Sequence, residues 1–252
     1  MSTRESSGTN PGPGTCYGVG VGPGDPELLT LKAVRALERS AAVAYFCAKG
    51  RTSNARRVVE HHLRDDHTQL ALVYPVTTEP IAPDTYETLI ADFYDQSAKR
   101  VAELLDAGAD VAVLCEGDPL FFGSYMYLHE RLRDRYRSEV IPGVSSVVAG
   151  AAAIGTPLAA RNEVFTVLSG VLPVGELHRR IAASDAVVVM KVGRNLEKVR
   201  DAVIRAGALE RASYVEWASL PNERVVPLAD AETARAPYFS MVVIPGVRAQ
   251  VR

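Results

Sequence analysis

Cysteine is scarce in this chain: Cys16, Cys47 and Cys115 are the only three in 252 residues. An odd number without paired spacing excludes a disulfide-built scaffold. All three lie in or beside apolar runs and read as buried, reduced thiols. The five histidines, His61, His62, His67, His129 and His178, show no metal-ligand spacing with them, so no metal site is expected. No apolar run approaches the roughly 20 residues that a membrane helix needs. The formal net charge of -2 gives no field that would draw the chain to nucleic acid or to an anionic membrane. Residues 1–14 are polar and rich in Gly, Pro and Ser, with no apolar signal core, and read as a disordered leader on a cytoplasmic protein.

Hydrophobic residues make up 47% and charged residues 23%, the balance of a globular chain long enough for two modest α/β domains. Short apolar runs alternate with helical patterns from Cys16 to Ile141, the mark of a parallel sheet. Runs at Cys16, Ala41–Phe46, Leu70–Pro75, Asp110–Cys115 and Glu139–Ile141 are the expected strands. A helix is expected over Pro26–Leu37 with Asp25 as its cap and Pro26 in its first position. A longer one is expected over Asp84–Leu105. Beyond Pro142-Gly143 the pattern changes to strands at Glu163–Leu168, Ala186–Met190, Ser213–Trp217 and Phe239–Ile244 with fewer helices. The expected organisation is therefore a parallel-sheet α/β domain over 15–142 and a mixed-sheet α/β domain over 143–252.

Two glycine-rich turns follow strands. Gly18-x-Gly20-x-Gly22-Pro-Gly-Asp-Pro26 overlaps a dinucleotide fingerprint. However, Pro23 and Pro26 make the turn rigid, and the second strand ends at Phe46-Cys47 without the acidic residue that would hold an adenosine ribose. The second turn is Cys115-Glu-Gly-Asp-Pro-Leu-Phe-Phe-Gly-Ser124. Its glycines let a ligand approach the backbone closely, and Asp118 stands at the carboxyl end of a strand, where open α/β sheets place ligands. Read alone, Asp118 serves equally well as a cap for the next helix. The same holds for Ser145 and Ser146, ahead of the small-residue helix Val147–Ile154.

The ordered set of Gly-x-Gly-x-Gly-Pro-Gly-Asp-Pro, Glu-Gly-Asp-Pro-Leu-Phe, Pro-Gly-Val-Ser-Ser and Met190-Lys-Val-Gly193 resembles the tetrapyrrole methylases. Leu114-Cys-Glu-Gly-Asp-Pro-Leu-Phe, Pro157-Leu-Ala-Ala-Arg161-Asn162 and Pro237-Tyr-Phe-Ser-Met241 resemble the branch that methylates precorrin-2 at C20. The resemblance implies a homodimer that uses S-adenosylmethionine and releases S-adenosylhomocysteine, with the ligand site between the two domains. It puts the cofactor contacts at Pro23, Glu116, Gly117, Asp118, Phe121, Ser145, Ser146, Met190 and Ala218. Relatives acting on uroporphyrinogen carry Asp-Arg where this chain has Phe46-Cys47, and Gly where it has Glu116, so uroporphyrinogen III is not the expected acceptor.

Methyl transfer from a sulfonium to a carbon needs alignment and exclusion of water, then removal of a proton from that carbon. Asp118 is the first candidate for that proton and Lys191 the second, with Tyr238 as a hydrogen-bonding partner for the ring. A carboxylate-rich tetrapyrrole calls for cations on loops, and Lys49, Arg51, Arg56, Arg161, Lys191 and Arg194 are the candidates.

Overall fold

The computed structural model describes residues 12–76 and 82–247. Most of the leader expected at 1–14 falls outside them. Gly14 falls inside and is ordered: its N–H donates to the carbonyl of Leu105 at 2.8 Å. The fold divides into two compact units. Unit 1 holds the chain up to Gly22 and Pro26–Val144; unit 2 holds Pro23–Asp25 and the chain from Ser145 onward.

Unit 1 is built on a parallel sheet of β1 (Cys16–Gly20), β2 (Ala42–Ala48), β3 (Thr68–Tyr74), β4 (Val111–Cys115) and β5 (Ser138–Ile141), in the order β3-β2-β4-β1-β5. β1 and β4 are fully buried along their length, as a strand covered on both faces must be. Alternate residues face opposite ways. Cys16, Val111, Val113 and Cys115 meet α3 (Pro83–Asp106) and α4 (Tyr125–Leu132) through Val101, Leu105, Leu128 and Leu132. Tyr17, Val19, Ala112 and Leu114 meet α1 (Leu31–Arg39) and α2 (Asn54–Val58) through Ala33, Leu37, Ala55 and Val58. The helix after β1 and the helix after β4 therefore leave on opposite faces of adjacent strands. That is the topological switch at which a crevice opens beyond the carboxyl ends.

The first helix differs from expectation. Pro26–Leu28 is a single 3₁₀ turn, and α1 starts at Leu31 with Thr30 as its cap. Thr30 Oγ1 accepts the N–H of Ala33 at 3.1 Å, whereas the Asp25 N–H donates to Ser219 Oγ at 3.3 Å. Asp25 is thus held by a distant loop and does not start the helix.

Unit 2 contains β6 (Phe165–Ser169), β7 (Ala186–Met190), β8 (Ser213–Glu216), β9 (Arg224–Pro227) and β10 (Ser240–Ile244), in the order β6-β7-β10-β8-β9. Only β6 and β7 pair in parallel; the other pairings are antiparallel. α5 (Ser146–Ile154) covers one face through Val147 and Ala149 against Val188, Val215 and Val243. α6 (Val174–Ala182) and α7 (Leu196–Arg205) cover the other through Leu177, Ile181, Val199 and Val203. β7 and β8 both run antiparallel to β10. The carboxyl ends of β6, β7 and β8 and the start of β10 consequently share one edge.

Candidate active site

In unit 1 the turns after β1 and β4 are joined directly. Gly22 and Gly117 exchange backbone hydrogen bonds of 3.3 Å and 2.8 Å as an isolated antiparallel bridge. Both lie at positive φ, +79° and +65°, a conformation glycine adopts at little cost. Beneath them the backbone is packed too tightly for any side chain. A Cβ on Gly20 would meet Gly143 N at 2.5 Å, and one on Gly143 would collide with the Gly117 carbonyl oxygen. At Gly117 itself a Cβ would meet nothing nearer than Val144 O at 4.0 Å. The chain at Glu116–Asp118 is therefore bare backbone with open space beside it, the form a loop takes when a ligand must lie against it.

Asp118 sets this loop. Its Oδ1 accepts the N–H of Leu120 at 2.9 Å and its Oδ2 accepts that of Gly143 at 3.1 Å. The carboxylate thus caps the turn that follows it and also ties the β4 turn to the β5 turn. Pro119 is buried, while Leu120, Phe121 and Phe122 are exposed, and Phe122 adopts φ +56°. An exposed run of three large apolar side chains on a strained turn is the wall expected of a ligand site. Glu116 is exposed in the turn after β4. Crowding of its carboxylate by protein raises its pKa above the ordinary glutamate value, against the pull of Asn54, the Ala55 backbone and Arg57.

The cations expected from unit 1 follow β2, whose carboxyl end neighbours that of β4. Lys49 and Arg51 are exposed in the turn. Arg56 is half-buried; its Nε donates to Gln69 Oε1 at 2.7 Å, and its guanidinium lies 5.9 Å from the Tyr45 ring centroid. Ser53 caps the helix that carries it, accepting the Arg56 N–H at 3.3 Å.

In unit 2, Met190, Lys191, Ala218 and Tyr238 meet on the shared edge, at the ends of β7 and β8 and the approach to β10. Lys191, Trp217 and Ser219 have φ of +55°, +52° and +68°. Three strained residues on one sheet edge point to a site there. Met190 is half-buried and Ala218 buried, while Lys191, Arg194 and Tyr238 are exposed. Pro23 belongs to this unit. Next to it, a Cβ on Gly24 would meet Leu220 Cγ at 2.5 Å. Ser145 is the cap of α5, its Oγ accepting the Val147 N–H at 3.2 Å, and Ser146 is the first helical residue. Arg161 stands apart from the others. Its loop is pinned where Gly246, just past β10, donates to the Leu158 carbonyl at 2.8 Å, at the opposite edge of the sheet.

Sequence reasoning placed the domain boundary at Pro142-Gly143 and missed the tie that Gly143 makes to Asp118. Among the described residues no group of His, Cys, Asp and Glu could hold a metal ion, and no helix is long and apolar enough to cross a membrane. Cys16 and Cys115 are buried, and Cys47, expected to be buried, is only half so.

The sequence model of the family described as Tetrapyrrole (Corrin/Porphyrin) Methylases matches residues 15–233. The chain belongs to that family. It is 50% identical over 236 residues to the Precorrin-2 C(20)-methyltransferase of a Sinorhizobium species, covering 93% of this chain and 96% of that protein. It is also 50% identical to the cobalamin biosynthesis protein CobIJ of Mycobacterium tuberculosis H37Rv, covering 93% of this chain but only 46% of that protein. The chain thus spans about half the length of some of its curated relatives. A solved structure of uroporphyrin-III C-methyl transferase from Thermus thermophilus, complexed with S-adenyl homocysteine, superimposes with a TM-score of 0.63. It is 28% identical, covering 91% of this chain and 97% of that one.

Proposed function

We propose that the chain is a methyltransferase that uses S-adenosylmethionine to methylate precorrin-2 at C20, giving precorrin-3A in cobalamin biosynthesis. The observation that carries this reading is the bare, glycine-built loop at Glu116–Asp118, in a chain half-identical to a precorrin-2 C(20)-methyltransferase along nearly that protein's whole length. The backbone of Glu116, Gly117 and Asp118, with Phe121 as an apolar wall, is proposed to hold the donor in unit 1. The proposed contacts in unit 2 are Pro23, Ser145, Ser146, Met190 and Ala218. The space at Gly117 and the apolar side chains around it suit an adenosine-bearing sulfonium. When bound, that donor supplies an electrophilic methyl group and leaves as a neutral thioether.

What the chain's own residues contribute is alignment and proton removal. A new C–C bond forms as the C–S bond breaks, and the ring carbon then loses its proton. Asp118 is held through both oxygens, which fixes its direction and leaves a second lone pair on each to accept a proton. Lys191, held at positive φ, and the exposed Tyr238 are the other groups proposed to act on the ring. Lys49, Arg51, Arg56 and Arg194 are proposed to pair with its carboxylates. Arg161 is left out because its loop is anchored at the other sheet edge.

We place the reaction in the cytoplasm, where three cysteines without a disulfide stay reduced, and the working form as a homodimer, which sedimentation tests. The deciding experiment incubates the chain with S-adenosylmethionine and either metal-free or cobalt-loaded precorrin-2. A mass gain of one methyl on the metal-free ring supports the reading. Gain on the cobalt form alone reassigns the acceptor, and no gain on either overturns the proposal.

A further inference from the structure

Ser240 opens β10 and is buried, with 5% of its surface exposed. Its hydroxyl serves two loops of unit 2 at once. Oγ donates to the carbonyl of Pro237 at 2.7 Å and accepts the N–H of Gly193 at 3.2 Å. A hydroxyl has one hydrogen to give and two lone pairs to receive, so the two bonds form together. Around Tyr238 the chain is held carbonyl by carbonyl. That of Pro237 takes the Ser240 hydroxyl, that of Tyr238 takes the Ser240 N–H at 3.0 Å, and that of Phe239 takes the Trp217 N–H at 2.9 Å. On the other side, the Gly193 bond closes the turn after β7, where φ is +55° at Lys191 and +36° at Gly193. The two loops also abut. A Cβ on Gly193 would lie 3.7 Å from Pro237 O and 4.0 Å from Tyr238 Cα.

We propose that Ser240 is a positioning residue for the acceptor, setting Lys191 and Tyr238 relative to each other through one buried hydroxyl. The inference rests on the functional reading above, which assigns those two residues to the ring, and adds the group that places them. Both stand on exposed turns, and an exposed turn keeps one conformation only when something ordered holds it. Ser240 supplies that order from the middle strand of its sheet, where it pairs with Glu216 of β8. An apolar side chain there would leave the Gly193 N–H and the Pro237 carbonyl without the partner they share. The donor contacts proposed for this unit are held by other bonds. The Met190 carbonyl accepts the N–H of Gly170 at 2.7 Å, and the residue ahead of Ala218 is fixed by the Trp217–Phe239 bond. Loss of the hydroxyl therefore loosens the groups that meet the ring and spares those that meet the donor.

The test compares Ser240→Ala, Ser240→Cys and Ser240→Thr with the wild type, measuring KM for precorrin-2, kcat and the Kd for S-adenosylhomocysteine. Alanine removes the hydroxyl, and cysteine fills its place with a weak donor and weak acceptor. Each should raise KM for the ring about fivefold and lower kcat about tenfold, the scale of a misaligned reactant. The Kd for S-adenosylhomocysteine should stay within about twofold, a split that general loosening of the fold would not give. Threonine restores the hydroxyl and should recover most of the loss. In a Tyr238→Phe background Ser240→Ala should cost less, because one of the two groups it sets is already disabled. A Ser240→Ala enzyme that turns over precorrin-2 like the wild type overturns the inference and leaves the function standing. So does one whose affinity for S-adenosylhomocysteine falls in step with its KM for the ring. A wild-type enzyme that does not methylate precorrin-2 overturns the function, and this inference with it.

Discussion

Asp118 Oδ2 accepts the backbone N–H of Gly143 across 25 residues of sequence, at 3.1 Å. With Oδ1 on the Leu120 N–H, the carboxylate meets two donors and nothing else can replace it there. Asparagine keeps one acceptor but turns an NH2 group toward the other N–H. Asp118→Asn should therefore cost about 1–3 kcal/mol of stability, the penalty for leaving a shielded donor unpaired. It should also weaken binding of S-adenosylhomocysteine, because the loop beside Gly117 loses its tie to the β5 turn. Thermal melts and calorimetric titration check both. An unchanged melting temperature would mean that the two bonds contribute nothing net.

The glycines beneath that loop give a second prediction with its own control. At Gly143 a methyl group would strike the Gly117 carbonyl and crowd Gly20 Cα at 2.8 Å. Those are backbone atoms of β1 and of the turn after β4, which Gly22 and Gly117 bond together. Gly143→Ala should destabilise by about 1–3 kcal/mol and abolish donor binding. Gly175 lies in α6 with nothing within 4 Å of a built Cβ. There Gly175→Ala should stabilise by about 0.5 kcal/mol through helix propensity. Equal and small effects in chemical denaturation of both variants would show that the tight glycine contact relaxes freely.

These two sites also show where sequence reading reaches its limit. The strands were legible because Cys16–Gly20, Val111–Cys115 and Ala186–Met190 are short apolar runs bounded by turn residues. The glycine turn after β4 was legible because Gly, Asp and Pro follow such a run. The start of α1 was misread because Asp25-Pro26 is a strong local capping signal, and a tertiary bond to Ser219 overrides it. β9 was missed because Arg224-Val-Val-Pro227 is short, mostly exposed and closed by proline, as edge strands often are. The Asp118–Gly143 bond joins distant positions. Neither periodicity nor local motif carries such a pairing. The separation of Arg161 from Lys191 had the same cause: both stand on loops beside the sheet of unit 2, and only strand direction tells which edge each loop occupies.

Thiol chemistry gives a third prediction. Burial pushes the Cys16 thiol up to about 12, against a hydrogen bond to Tyr125, and pushes Cys115 up to about 11. Burial also raises Cys47, which is only half-buried. Alkylation needs both thiolate and access. Iodoacetamide near pH 8 should therefore modify Cys47 first, and reach Cys16 and Cys115 only after denaturant is added. Peptide mass mapping over a time course reads this directly. Labelling of native Cys115 at the rate of Cys47 would show that the core beneath the turn after β4 opens.

A last prediction concerns acid. Glu176 sits in the first turn of α6, and hydrogen bonds from Arg179 and Arg180 lower its carboxyl to about 2. A carboxyl depressed in the folded state adds stability that is fully present above its unfolded pKa. That stability fades as the pH falls toward the folded value, because the unfolded chain then binds the proton first. The gap in denaturation midpoint between wild type and Glu176→Gln should thus be flat from neutral pH down to about pH 5. It should shrink through the ordinary glutamate range and vanish near pH 2. Since the pair is exposed, added salt should narrow the neutral-pH gap as well. Urea midpoints measured across that range decide the matter. A gap that stays constant from pH 7 to pH 3 would assign the stabilisation to helix packing and not to charge.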